Sequence, residues 1–243
     1  MGRNPPRRAG RFGLSLLLWL ALSVSLLVSG CAFTGNSGLP AIRVLFIGNS
    51  FTFYNGGIDA DLHGLAPRTT VGSATKSGYS LAQHLADPDT MGTLKLGWSF
   101  VVLQEQSQTP VYNYSGFLTS ATTFTDQIRS QQATPLLLMT WARPDSSGIT
   151  TEAVRSATVR AGQQLGLTVI PAGVAFADSL SASPGVTLTQ YDGHPTREGT
   201  YLAACTVYAT LFGLSPVGNT YTGGLDATVA HGLQEAAAVA TGH

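Results

Sequence analysis

Charge is scarce in this chain. Only 11% of its 243 residues are Asp, Glu, Lys or Arg, and the thirteen acids balance the thirteen bases. There is no basic patch and no interleaving of aromatic with basic residues. That excludes the electrostatic footprint of a nucleic-acid binder. Cysteine is nearly missing: Cys31 and Cys205 are the only two. No cysteine metal cluster can exist, and the five histidines contain no pair with a convincing metal spacing. No metal and no cofactor is expected. No internal repeat and no domain break interrupts the chain. Low charge combined with many Ser, Thr, Gln and Ala residues is typical of a secreted protein. It also suits a neutral, hydroxyl-rich ligand such as a polysaccharide.

What is present begins with a leader. Arg3, Arg7, Arg8 and Arg11 form a basic flank without acids, and Phe12 to Val28 is mostly apolar. Val28-Ser29-Gly30-Cys31 follows. Residues 1–30 read as a secretory signal peptide. The small residues before Cys31 resemble a lipobox, in which the cysteine is lipidated and becomes the new N-terminus. Such acylation supplies the two signals that stable membrane attachment needs. Residues 31–40 then form a tether, and 41–243 a single domain. The expectation is an exported, lipid-anchored envelope protein and a monomer. Removing four arginines leaves nine bases against thirteen acids, a net charge near −4. With Cys31 lipidated, Cys205 has no partner for a disulfide and reads as a buried thiol on a helix.

Apolar runs alternate with helical patterns along this domain. Ile42–Ile47, Thr69–Val71, Phe100–Gln104, Pro135–Thr140 and Leu167–Ile170 read as strands. Their continuous apolar character suits strands covered on both faces. Phe117–Gln131, Thr150–Leu165, Arg197–Phe212 and Leu225–Ala240 read as helices, and Gly166 supplies a stop. A repeated β-α order predicts a parallel five-stranded sheet between two helical layers, a three-layer α/β/α sandwich. Asp87–Ser99 and Gln106–Gly116 read as irregular.

Ligands of open parallel sheets sit beyond the carboxyl ends of the strands. Gly48-Asn49-Ser50 stands just past the first strand, so the Ser50 hydroxyl reaches that crevice. A serine hydroxyl becomes a nucleophile when a base takes its proton. His194, in Tyr191-Asp192-Gly193-His194-Pro195-Thr196, is the best base available. Asp192 is the candidate to orient it and to stabilise the imidazolium. Pro195 suits a helix start and keeps His194 on a stiff turn.

These residues give the chain a specific resemblance: it resembles the SGNH (GDSL-type) hydrolases. Gly48-Asn49-Ser50 matches the first block of that family, and Gly78 in Ser77-Gly78-Tyr79-Ser80-Leu81 matches the second. Asp192…His194-Pro195-Thr196 matches the last. Leu103-Gln104-Glu105-Gln106-Ser107 and Thr140-Trp141 resemble a secreted lipoprotein branch with the same third block. The resemblance implies a sheet of flavodoxin-like order, a Ser50 nucleophile and an oxyanion contact from Gly78. It also implies two departures. The asparagine of the third block is missing; Gln106 falls at its place, with Gln104 as second candidate. A glutamine amide can donate to an oxyanion, but its extra methylene shifts the donor. The usual Asp-x-x-His is shortened to Asp192-Gly193-His194. Either a positive φ at Gly193 lets Asp192 reach the ring, or the pair Ser50–His194 works as a dyad.

The expected function is therefore that of a serine esterase acting on acylated carbohydrate or small esters. A non-catalytic binding lipoprotein and a sugar O-acyltransferase are the competing readings on the same fold. His63 reads as helix surface and His84 as a helix-surface or packing residue. Glu105 reads as a strand-end hydrogen-bonding residue near the site, and Trp141 as a packing residue overlooking the crevice.

Overall fold

Val44, Leu45, Phe46 and Ile47 are apolar in unbroken succession, and β1 (Arg43–Gly48) buries both of its faces. Val44 and Phe46 enter one hydrophobic core, and Leu45 and Ile47 enter a second on the other side of the sheet. This follows from the two-residue period of strand side chains. The structure is a computed structural model that describes residues 1, 2 and 41–243. Most of the signal segment, and the whole tether from Cys31 to residue 40, lie outside the described residues. No described helix is long and apolar enough to cross a membrane.

From β1 the chain turns at once into α1 (Ser50–Phe53), a short 3-10 turn and α2 (Ile58–Leu65). Then follow β2 (Thr70–Thr75), α3 (Leu81–Leu85), α4 (Pro88–Leu94), β3 (Phe100–Leu103), α5 (Thr109–Tyr112) and α6 (Tyr114–Ser130). The second half continues with β4 (Thr134–Leu138), α7 (Thr151–Leu165), β5 (Thr168–Ile170), α8 (Ala172–Ala182), α9 (Arg197–Phe212) and α10 (Ala227–Thr241). All strand pairings are parallel, in the order β2-β1-β3-β4-β5. This is the flavodoxin-like order, whose ligand crevice opens where the winding reverses, between β1 and β3.

Residues of α2, α8, α9 and α10 join the first core, and residues of α3, α4, α6 and α7 join the second. The sheet is thus the middle of three layers. Helix α9 is buried nearly all round, from Gly199 to Val207, because α2, α8 and α10 pack against it. Small residues (Ala203, Ala204, Cys205) let these helices approach closely. Cys205 is fully buried and free, and burial raises its thiol pKa.

Two expectations change. The second strand runs on to Thr75 instead of ending at Val71. As the edge strand it is only half-buried, so Ser73 and Thr75 serve it without an apolar run. The stretches read as irregular carry helices: Asp87 caps α4 ahead of Pro88 at its first turn. Residues Thr109 to Tyr112 form α5, and α6 starts at Tyr114. Capping chemistry decided these short helices, where apolar periodicity has too few turns to register.

Candidate active site

Gly48 ends β1 and brings the next residue to the crevice. A Cβ at Gly48 would lie 2.5 Å from Gln104 Oε1, so only glycine fits beside that side chain. Asn49 then caps α1, its Oδ1 accepting from Phe51 N–H at 3.1 Å. Its Nδ2 donates to the Tyr79 carbonyl at 3.0 Å, tying the Ser50 turn to the Gly78 loop. Ser50 is the first residue of α1, so its N–H has no carbonyl acceptor within the helix.

His194 Nε2 lies 2.8 Å from Ser50 Oγ, and His194 Nδ1 lies 2.8 Å from Asp192 Oδ2. Asp192 accepts, so the ring proton sits on Nδ1 and Nε2 accepts from the Ser50 hydroxyl. The shortened spacing reaches because Gly193 adopts φ +83°. The same turn lets Asp192 Oδ1 accept from His194 N–H at 3.2 Å. These hydrogen bonds from His194 hold the Asp192 carboxyl below its ordinary pKa. Asp192 remains half-exposed, whereas His194 is largely covered.

Aromatic packing fixes the imidazole. Tyr54 stacks on it at 4.3 Å, and Phe51 tilts against it at 5.3 Å. Phe51 in turn stacks on Trp141, and Trp141 on Phe176. Trp141 is buried and donates its Nε1–H to the Gly193 carbonyl at 2.9 Å. It is thus a packing residue that also pins the 192–194 turn.

A cavity of about 210 Å³ opens in front of Ser50, lined also by Gly78, Gln106, Ser107, Arg143 and His194. Gly78 sits at φ +73° in a turn closed by the Tyr79 N–H and the Lys76 carbonyl, 3.1 Å apart. The Gly78 N–H has no acceptor among the described residues. A Cβ at Gly78 would meet nothing within 4 Å, so the positive φ, not crowding, calls for glycine.

The two glutamines part company here. Gln106 Oε1 accepts from Gln108 N–H at 2.8 Å and Thr109 N–H at 3.1 Å, capping α5. Its Nε2 has no partner among the described residues and belongs to a cavity-lining side chain. Gln104 is not brought to the cavity. It is buried, its Oε1 accepts from Asn49 N–H at 2.8 Å and Thr52 hydroxyl at 3.0 Å, and its Nε2 donates to the Glu105 carbonyl. Gln104 therefore braces the Ser50 turn, away from the cavity lining.

His84 is fully buried, not a helix-surface residue. Its Nε2–H donates to the Gly48 carbonyl at 2.8 Å, and its Nδ1 lies 2.9 Å from Thr90 Oγ1. Burial lowers its pKa. It anchors the strand end just before the Ser50 turn. His63 is exposed, as its place on α2 suggests.

No protein-family model matches the chain, and no curated protein sequence does. Solved structures do. A protein from Slackia heliotrinireducens described as an SGNH hydrolase superposes with a TM-score of 0.63 at 24% identity, over 70% of this chain and 99% of its own. A DUF4886 family protein from Bacteroides uniformis gives 0.68 at 20% identity, over 82% and 94%. The acetyl xylan esterase AlAXEase gives 0.56 at 16% identity, over 70% and 100%. The chain has the SGNH-hydrolase fold.

On this fold, the Ser50 turn, the Gly78 turn and the His194 turn all lie at the carboxyl side of the sheet. Sequence reasoning missed Arg143 and Ser107 on the cavity wall. Arg143 Nη1 donates to Ser107 Oγ at 2.8 Å, while Nε and Nη2 hold Asp145 at 2.9 and 2.7 Å. Arg143 lies two residues beyond Trp141, past the end of β4, and that position was the available signal. Phe51 and Tyr54 were also missed as ring supports. Their closeness to Ser50 in sequence says nothing about which face of the histidine they cover.

Proposed function

We propose that this chain is a serine esterase working through a Ser50–His194–Asp192 triad. The observation that carries the proposal is the unbroken line of two 2.8 Å contacts from Ser50 Oγ through the imidazole to Asp192. Asp192 within hydrogen-bond reach favours a triad over a dyad. His194 takes the Ser50 proton as Oγ attacks the ester carbonyl, and Asp192 stabilises the imidazolium that results. Ser50 N–H, Gly78 N–H and Gln106 Nε2 receive the oxyanion as the carbonyl π electrons move onto oxygen. The intermediate collapses, His194 hands its proton to the leaving alcohol, and an acyl-serine remains. Water then repeats the sequence and frees the acid.

The cavity beside Ser50, about 210 Å³, is small against the roughly 300–1,000 Å³ of common ligand pockets. We read this as a short acyl site, acetyl rather than fatty acyl. The fold likeness to an acetyl xylan esterase supports an acylated carbohydrate as substrate. Export and a lipid anchor at Cys31 belong to the same proposal and rest on the leader sequence alone.

A fluorophosphonate probe labels the wild type and not Ser50→Ala. Absence of labelling in both would overturn the esterase in favour of a binding protein. p-Nitrophenyl acetate turns over faster than the octanoate; the reverse order refutes the short acyl site. Products formed with an acceptor sugar present tell hydrolysis from transfer. Labelled palmitate enters the wild type and not Cys31→Ala if the anchor is as proposed.

A further inference from the structure

A second and larger cavity, about 470 Å³, is bordered by the same stretches of chain as the ester cavity. Gly78 and Gln106 line the smaller one; Ser80 and Glu105 line the larger. Glu105 is the strut between them. It is only 4% exposed, and its Oε1 accepts both Gln106 N–H at 2.7 Å and Leu81 N–H at 3.1 Å. Its Oε2 has no partner among the described residues, and it is the oxygen left for the cavity. Ser120, only 5% exposed, also lines the cavity with no hydrogen-bond partner for its hydroxyl among the described residues. Thr119 Oγ1 and Asn113 Nδ2, on exposed residues at the rim, also have no partner among the described residues.

We propose that the Glu105 cavity is a binding subsite for a neutral, hydroxyl-rich ligand, the sugar portion of the ester whose acyl group faces Ser50. That the ligand is the substrate's own sugar rests on the esterase reading; that the cavity binds sugar does not. The chemistry of the lining makes the choice. It mixes a pure acceptor (carboxylate), a pure donor (amide N–H) and hydroxyls that do both. A sugar hydroxyl donates and accepts from one atom, so it answers all three. An ammonium would satisfy Glu105 and oppose Asn113 Nδ2. No lining residue is basic, so an anion finds no counter-charge. The volume lies within the range of small-molecule sites, about 300–1,000 Å³. Burial pushes the Glu105 carboxyl up to about 7 against the two N–H bonds that lower it. Near neutral pH this group can therefore accept a hydrogen bond from a hydroxyl or donate one to it.

The test uses Ser50→Ala protein, which cannot consume a ligand. Saturation-transfer NMR is run with methyl β-xyloside, cellobiose and N-acetylglucosamine. At least one binds, and adding Glu105→Gln or Ser120→Ala weakens it fivefold or more. Glu105→Gln keeps the Oε1 acceptor and changes only the atom facing the cavity; Ser120→Ala decides the matter if Glu105→Gln folds poorly. Binding by none of the three sugars, or binding within twofold of the parent in both variants, overturns the subsite. With Ser50 intact, kcat/KM for acetylated cellobiose falls at least tenfold further in these variants than kcat/KM for p-nitrophenyl acetate. An equal fall in both refutes the sugar role in the substrate. Sugar binding without turnover of either ester sinks the esterase reading and leaves the subsite standing.

Discussion

Gly193 carries more of this site than its missing side chain suggests. Its φ of +83° folds Asp192 back onto His194, and a Cβ there would lie 2.9 Å from Arg143 Cγ and 3.1 Å from Phe51 Cζ. Gly193→Ala therefore meets backbone strain and crowding together. It should lose roughly 1–3 kcal/mol in denaturant titration and lower kcat together with the loss of carboxylate contact. Asp192→Ala should lower kcat at the small end of the roughly 10²–10⁴ range of acid-base effects, because water reaches the half-exposed pair. Nearly full activity in that variant would mean that the histidine needs no carboxylate. Gln106→Glu tests the third proposed oxyanion donor, removing its N–H and adding a charge that repels an oxyanion. It keeps the oxygen that caps α5 and removes the N–H, so kcat should drop about 10²–10³-fold with the protein still folded. An unchanged kcat would take Gln106 out of the oxyanion site.

Short connections between elements align these residues. The β1–α1 turn is held from three sides: Gln104 accepts from Asn49 N–H, His84 donates to the Gly48 carbonyl, and Asn49 reaches Tyr79. Strand ends β1 and β3, the loop after β2 and helix α3 are thus one unit around Ser50. The histidine turn is held from β4 by Trp141, which follows that strand and donates to the Gly193 carbonyl. Trp141→Phe retains a ring for the stack with Phe51 and Phe176 and leaves that carbonyl without its donor. Stability should fall by about 1–3 kcal/mol, and kcat should fall more than KM rises. A KM effect alone would show that the turn is held by other contacts.

At the scale of the whole molecule, Glu105 couples the site to folding. Its carboxyl titrates at about 7 when folded and near the ordinary 4.5 when unfolded. Between these values the folded state binds more protons, so stability falls as pH rises through that window. At 1.36 kcal/mol per unit, this group should cost the wild type about 2–3 kcal/mol between pH 5 and pH 8. Glu105→Gln lacks the loss, and denaturant titrations of the two proteins at both pH values read it directly. His84 acts in the opposite direction: burial keeps it neutral, so its contribution grows as pH rises toward 6.5. It is common to both proteins and cancels in the difference. Asp87, Asp145 and Asp192 are held low by Lys76, Arg143 and His194 respectively. Their contributions are lost only as pH falls below 4, outside the window. A difference that does not change with pH would show that Glu105 is not buried as described.

Local pattern alone determined the parallel sheet, its major helices and the places of Ser50 and His194. Apolar runs, caps and Gly-Asn-Ser or His-Pro turns are written in consecutive residues, and neighbours in sequence determine them. Gly78 came from the family resemblance, which places a glycine turn after the second strand. What pattern left open was every question of reach across the chain. Whether Asp192 could orient His194 depended on the Gly193 torsion and on Trp141, 52 residues away. Whether Gln104 or Gln106 faced the crevice depended on what already occupied each amide, and Gln104 is taken up by Asn49, Thr52 and the Glu105 carbonyl. The meeting of Ser50 with His194 spans 144 residues, and the Glu105 cavity exists only between packed α3, α5 and α6. Such pairings follow from how whole layers close on one another, and that is the part of the molecule that only the tertiary structure decided.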